Sequence, residues 1–202
     1  MALALALLAA GSASRMRGRD KLLEPMDGAA LLRHLAHQAL EAGLGPVAVT
    51  LRQPDPAREA VLDGLALTRL PVPDAAEGMA ASLRQAALWA AQSGSIGLMI
   101  CPADMPELTA ADFTTLAQGF TADGPPHRAT SATGRPGHPV LFPARLLPSF
   151  AALKGDQGAR LLLETHSPRL IALPGNRALT DLDTPEDWLR WRSCPDVPST
   201  PP

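Results

Sequence analysis

Along this chain, short apolar runs alternate with stretches whose hydrophobic positions recur every three to four residues. That is the pattern of a parallel sheet with crossover helices, so the expected fold is α/β. The first run covers residues 2–9. A helix follows over 29–42, where Leu31, Leu32, Leu35, Ala36, Ala39 and Leu40 share one face. Gly43 and Gly45 stop it, and 46–51 reads as a second strand. A helix over 56–65, a short strand over 67–72 and a helix over 79–92 come next. Residues 96–101 form an unbroken apolar run, as a central strand buried on both faces requires. Thr109 is placed to cap a helix over 110–119. Further strands are expected over 128–132, 139–142 and 169–173, with a helix over 157–165. A last helix, capped by Thr184, carries Trp188 and Trp191. Residues 1–192 read as one domain and 193–202 as a Pro-rich, disordered tail.

A length of 202 residues suits one domain with a substantial core. With 46% apolar and 19% charged residues the chain is an ordinary globular protein, and its formal net charge of -2 has the signs interspersed. No extended basic face exists to neutralise a run of phosphates, which argues against nucleic-acid binding and confines phosphate chemistry to a local site. Cys101 and Cys194 lie far apart without metal-ligand spacing, so a reducing, cytoplasmic setting is the expectation and Cys101 reads as a buried hydrophobe. The apolar start lacks a basic flank and is too short to span a bilayer; it reads as a buried strand, with no membrane association.

Four segments carry chemistry. After the first strand comes Leu8-Ala9-Ala10-Gly11-Ser12-Ala13-Ser14-Arg15-Met16-Arg17-Gly18-Arg19-Asp20-Lys21. Small residues there let backbone N–H groups approach a triphosphate, and Arg15 and Lys21 bring fixed positive charge. The spacing fits neither the P-loop nor the dinucleotide fingerprint, and a solvated Gly/Ser loop explains it too. Next, Asp104 in Cys101-Pro102-Ala103-Asp104-Met105-Pro106 follows the central strand, where an open sheet presents ligands, and a hard oxygen donor there suits Mg2+. A turn aspartate bonding its own backbone is the alternative. In Asp181-Leu182-Asp183-Thr184-Pro185-Glu186-Asp187, the helix start accounts for 184–187 but not for Asp181, a possible second metal carboxylate. Finally, Glu77-Gly78-Met79-Ala80-Ala81-Ser82-Leu83 enters a helix whose free N–H groups can take a base edge or an anion. Two weaker Gly-rich loops contain Gly137-His138-Pro139 and Gly155-Asp156-Gln157-Gly158-Ala159-Arg160. His34 and His37 read as a solvated pair.

Taken in order, these motifs resemble the molybdenum cofactor cytidylyltransferases, over roughly residues 3–192. The resemblance implies a single Rossmann-like, three-layer domain with a mostly parallel sheet, of the nucleotide-diphospho-sugar transferase type. It also implies transfer of CMP from CTP to the phosphate of molybdopterin, with Mg2+ as cofactor and a molybdoenzyme or its chaperone as a further partner. By resemblance, Ala9, Ala10, Gly11, Ser12, Arg15, Lys21, Gly78, Met79 and Ser82 bind nucleotide. Lys21, Arg15 and Asp104 are then the catalytic residues, Asp104 and Asp181 hold metal with Asp183 as the rival to Asp181, and Gly137, His138 and Arg160 face the acceptor. Leu8-Ala9-Ala10-Gly11 resembles the cytidylyl rather than the guanylyl form. Ala13 stands where Ser is common and Arg17 where Gly is usual, so a positive φ at that position would strain Arg17. A guanylyltransferase, a sugar- or alditol-phosphate nucleotidyltransferase, and a non-catalytic cofactor carrier are the alternatives.

Overall fold

The structure is a computed structural model that describes residues 2–12, 16–26, 28–156 and 158–193. Arg15, with Ala13 and Ser14, and the tail from Cys194 onward lie outside the described residues, as does Gln157.

Seven strands form one sheet: β1 (Ala4–Leu8), β4 (Val47–Arg52), β5 (Thr68–Val72), β6 (Gly97–Pro102), β7 (His127–Thr130), β8 (Pro136–Pro143) and β9 (Arg169–Ala172). Their order is β5-β4-β1-β6-β8-β7-β9, and β2 (Pro25–Met26) pairs with β3 (Ala29–Ala30) in a separate small hairpin. The helices are α1 (Leu31–Glu41), α2 (Pro56–Val61), α3 (Met79–Gln92), α4 (Ala110–Ala117), α5 (Arg160–Thr165) and α6 (Pro185–Arg192). Expected elements and observed ones agree to within a few residues at their ends. The hairpin and a 3-10 stretch over Ala144–Ala152 are additions that the hydrophobic pattern does not announce.

The apolar runs split between two cores because successive strand side chains point to opposite faces. Leu5, Leu7, Met99 and Cys101 face one core with α1, α4 and Trp188 of α6. Ala4, Ala6, Leu98 and Ile100 face the other, with α3 and the 144–153 segment. On that second face alanines oppose alanines: Ala4 and Ala6 meet Ala80, Ala86, Ala87 and Ala90 of α3. Small residues on both sides let the helix backbone lie close to the sheet, and one added methylene would be felt. Cys101 is fully buried and its thiol is pushed well up by desolvation, then by Asp104, so it stays protonated and unreactive.

Only β8 runs against the rest of the sheet, antiparallel to both β6 and β7. In register, Ile100 opposes Val140 and Gly97 opposes Pro143, so His138 comes level with the C-terminal end of β6 and 136–137 reach past it. The chain crosses from β1 outward to β4 and β5, then returns to β6 on the other side. The crevice between β1 and β6 is therefore the switch point at which such sheets bind ligands. Two helix starts follow the sequence closely. Thr109 with Asp112 and Thr184 with Asp187 each form a full capping box, and Pro185 occupies the first turn.

Arg17 adopts φ 52°, the left-handed region, next to Gly18 at φ 89°. A side chain there costs about 1–2 kcal/mol. Its ion pair with Glu186 is well exposed and offsets little of that. Glycine relieves the strain but adds about 0.5–1 kcal/mol of chain entropy to lose. Arg17→Gly is therefore expected to hold or slightly raise stability, and Arg17→Val to lower it by at least about 1 kcal/mol. Thermal unfolding checks this, at about 2–4 °C per kcal/mol for this size.

Candidate active site

The first strand delivers its C-terminal loop directly to the crevice. Ala9 N–H is fixed by Thr50, donating to both the carbonyl oxygen and Oγ1 at 3.1 Å. Ala103 N–H donates to Leu8 O at 3.1 Å, tying the end of β6 to the end of β1. Further along, Asp20 caps a short 3-10 turn, Lys21–Leu23, by accepting from Leu22 N–H at 3.0 Å. Leu22 is buried, which anchors the turn and points Lys21 into the crevice.

There the Lys21 ammonium lies 2.5 Å from Asp104 Oδ2 and 2.5 Å from Asp183 Oδ1. All three side chains are largely buried. Burial alone would lower the lysine's pKa, but Asp104 and Asp183 raise it above its ordinary value, so Lys21 is charged at any physiological pH. The second acidic segment arrives through its own backbone: Leu182 N–H donates to Asp104 O at 3.2 Å, and the Leu182 side chain is buried in the core. This plug brings the carboxylates on either side of it to Asp104. The Asp181 carboxyl is pushed up by burial and then by repulsion from Asp104 and Asp183. Lys21, Asp104 and Asp183 thus meet, with Asp181 near enough to feel their charges, although they span more than 160 positions of sequence.

Asp104 divides its two oxygens. Oδ2 receives Lys21, whereas Oδ1 is buried with no hydrogen-bond partner among the described residues. A buried carboxylate oxygen left bare is costly, and a hard divalent cation is the natural partner for it. Among the described residues no three Asp, Glu, His or Cys side chains enclose an ion by themselves. An ion here would complete its shell with water and phosphate oxygens, the usual habit of Mg2+. The residues therefore fit a divalent ion held on Asp104 Oδ1 with a neighbouring carboxylate.

His138 stands at the same rim, where β8 begins. Its N–H donates to Ala178 O at 2.9 Å, and Arg128 Nε donates to Gly137 O at 3.1 Å. Gly137 is obligatory, since a Cβ would lie 1.9 Å from Ala178 O. The ring Nδ1 is buried without a partner among the described residues. Burial and then Arg128 lower the imidazole pKa to about 4, against a weaker opposite effect of Asp104. His138 is therefore neutral and presents one unpaired polar atom near the carboxylates.

The structure gives two of the expected contacts partners within the protein itself. The N-terminus of α3 does not offer its first donors freely: Met79 N–H donates to Asp156 Oδ1 at 3.1 Å and Ala80 N–H to Gly155 O at 3.0 Å. The anion at that helix start is the protein's own Asp156. Gly78, at φ 114°, allows this, because a Cβ would sit 2.2 Å from Asp156 Oδ1. Ser82 is buried against the sheet. Arg160 is exposed and pairs with Glu164 one turn along α5 at 2.8 Å, so the structure does not bring it to the carboxylates. Arg15 lies outside the described residues. Separately, a cavity of about 840 Å3 borders Asp181 but not Lys21 or Asp104, with His34, Gln38, Glu107, Arg177 and Trp191 in its wall. Its polar groups are engaged with one another, as in Trp191 Nε1 to Glu107 at 3.1 Å and Gln38 to Ala110 N–H at 2.9 Å.

The sequence reading missed Arg58, Asp20 and Arg128. Arg58 is fully buried and bonds the backbone of the first loop. In the sequence it resembles any basic residue in the first turns of a surface helix, so no periodicity points to it.

The His138 assignment has a measurable consequence. In the folded protein its pKa is near 4, below the ordinary 6.5 of an unfolded chain. The unfolded state thus binds more protons between those values, and the stability this residue contributes above pH 6.5 is lost as pH falls toward 4. In metal-free protein, an NMR titration of the imidazole should show a midpoint near 4. A midpoint near 6.5 would contradict this burial.

Comparison with known proteins agrees with the fold. Residues 5–170 match the model of the MobA-like NTP transferase domain. The purine catabolism protein PucB of Bacillus subtilis is 29% identical over 196 residues, covering 90% of this chain and 91% of PucB. Rv0371c of Mycobacterium tuberculosis superimposes with a TM-score of 0.82 at 27% identity, covering 94% of this chain and 96% of that one. Its complex with manganese gives 0.78 at 26% identity, covering 94% and 97%. No helix among the described residues is long and apolar enough to cross a membrane. The chain belongs to the MobA-like NTP transferase family and is a nucleotidyltransferase with a nucleoside triphosphate as substrate.

Proposed function

We propose that this enzyme transfers CMP from CTP to the phosphate of a molybdopterin cofactor, with Mg2+, releasing pyrophosphate. The observation that carries the reading is the divided Asp104 carboxylate, one oxygen on the Lys21 ammonium and the other buried and bare. Rv0371c has been solved in complex with manganese, which supports a divalent ion as cofactor here.

An acceptor phosphate oxygen attacks the α-phosphorus of CTP, the bond from that phosphorus to the bridging oxygen breaks, and pyrophosphate leaves. The acceptor phosphate is already anionic at neutral pH, so no side chain need abstract a proton. Lys21 sits where it can neutralise charge on the triphosphate, with Asp104 and Asp183 fixing its position. Asp104 Oδ1, together with Asp181, would hold the metal; Asp183, already engaged by Lys21, is the rival to Asp181. Bound there, Mg2+ supplies charge neutralisation to the phosphate oxygens. Arg15 adds a second cation from the same loop. His138 and Arg128, on the β8 side of Asp104, face the acceptor, with His138 as an uncharged hydrogen-bonding group. A molybdoenzyme or its maturation chaperone would receive the product.

The preference for CTP rests on Ala10 and the 78–83 segment. Ala10 is buried in a small apolar cluster with Val72 and Ala81. The two segments that resemble the cytidylyl enzymes therefore meet in one wall beside the loop.

Asp104→Asn keeps the shape of the side chain and removes its charge. We expect it to reduce metal-dependent pyrophosphate release by about 100-fold or more, with the fold intact. Full activity in a folded variant would remove Asp104 from the mechanism. Thermal shifts with Mg2+ and each of the four common NTPs should be largest for CTP, since binding to the native state alone raises apparent stability. With reduced molybdopterin as acceptor, kcat/KM should favour CTP over GTP. Equal values would reject the base assignment, and turnover only with a sugar phosphate would reject the acceptor.

A further inference from the structure

Arg58 is the largest fully buried side chain among the described residues, and none of the motifs above contains it. It lies on α2, which Asp55 caps. Its guanidinium reaches across to β1 and the loop beyond. Nη1 donates to Ala9 O at 2.5 Å and to Gly11 O at 2.9 Å. On its other side Nε and Nη2 donate to the two Asp20 oxygens at 2.8 and 3.0 Å, the paired geometry in which an Arg–carboxylate contact is strongest. Asp20 in turn caps the turn that carries Lys21.

One guanidinium thus grips both ends of the segment between Gly11 and Lys21. The grip also sets the direction of the backbone. In a trans peptide the carbonyl of one residue and the N–H of the next point opposite ways. With Ala9 O and Gly11 O turned onto Arg58, the N–H groups of Ala10 and Ser12 are turned away from it. Neither has a partner among the described residues. Two N–H donors facing the same way on this loop can hydrogen-bond an anion.

We infer that Arg58 is a positioning residue that holds residues 9–12 and the Asp20–Lys21 turn in phosphate-binding form by clasping Ala9, Gly11 and Asp20 at once. Arg58 touches no substrate; it acts through the N–H groups of Ala10 and Ser12 and through the Asp20–Lys21 turn. Lysine cannot replace it, because a single ammonium lacks the planar fork that spans two carbonyls and a carboxylate. The link to phosphate rests on the function proposed above, whereas the clasp itself does not.

The test uses Arg58→Lys, Arg58→Met and Asp20→Asn, with two readouts. Hydrogen exchange of ligand-free protein should show amides of residues 9–24 exchanging at least tenfold faster in both Arg58 variants, while strands β4 and β6 keep their protection. Steady-state kinetics should show the KM for NTP rising about tenfold or more, with the KM for acceptor within twofold of wild type. Folded Arg58 variants with unchanged exchange over 9–24 would overturn the inference, as would a loss of protection spread evenly over the sheet. If the Arg58 variants fail to fold, Asp20→Asn decides. It leaves the carbonyl contacts in place, so faster exchange should be confined to 16–24, and unchanged exchange there overturns the clasp. Should wild-type protein bind no NTP, the proposed function fails, and the exchange measurement still decides on Arg58.

Discussion

The arrangement depends on one ammonium group held between carboxylates in a partly desolvated crevice. Lys21 is matched against Asp104 and Asp183, with Asp181 crowded beside them. Among the described residues three carboxylates crowd around this ammonium, and burial makes their mutual repulsion costly. Burial first, and then repulsion from Asp104 and Asp183, pushes the Asp181 carboxyl up. A triphosphate brought alone would add to the repulsion. A divalent ion arriving with it turns the same carboxylates from a liability into ligands, which couples metal and nucleotide binding.

The sheet makes this cluster possible by what it brings to one rim. β1 and β6 end side by side, so the loop bearing Lys21 and the turn bearing Asp104 face each other across the switch point. Leu182 supplies the third approach. Its burial is apolar and nonspecific, yet its N–H on Asp104 O sets the register of the two flanking aspartates. The reversal of β8 supplies the fourth, placing His138 level with the end of β6 and Gly137 just past it. Chemistry that needs several fixed charges is thereby carried by backbone hydrogen bonds and core packing rather than by flexible surface loops.

The ion pairs that tie this region to α6 are of a different kind. Arg17–Glu186 is mostly exposed, and Arg192 reaches the buried Glu24 at 3.5 Å. Such contacts steer the chain more than they stabilise it. Arg58 contrasts with them, since its guanidinium has no access to solvent and must satisfy its donors internally.

Local physics in the sequence determined the strands, the helices and their caps, because apolar periodicity and Thr-x-x-Asp starts act over a few residues. It also marked Lys21, Asp104 and the 181–183 acids as chemistry at strand ends, whereas the strain at Arg17 was pointed to by the family resemblance, in which glycine is usual there. Tertiary structure alone decided which acids meet, since Asp183 rather than Asp181 bonds Lys21 directly. It likewise decided that Asp156 occupies the start of α3, that β8 runs backward, and that Arg58 turns inward. Those outcomes depend on which surfaces pack together far along the chain, and a charged residue carries no periodic trace of whether its partner will be water or a buried carbonyl.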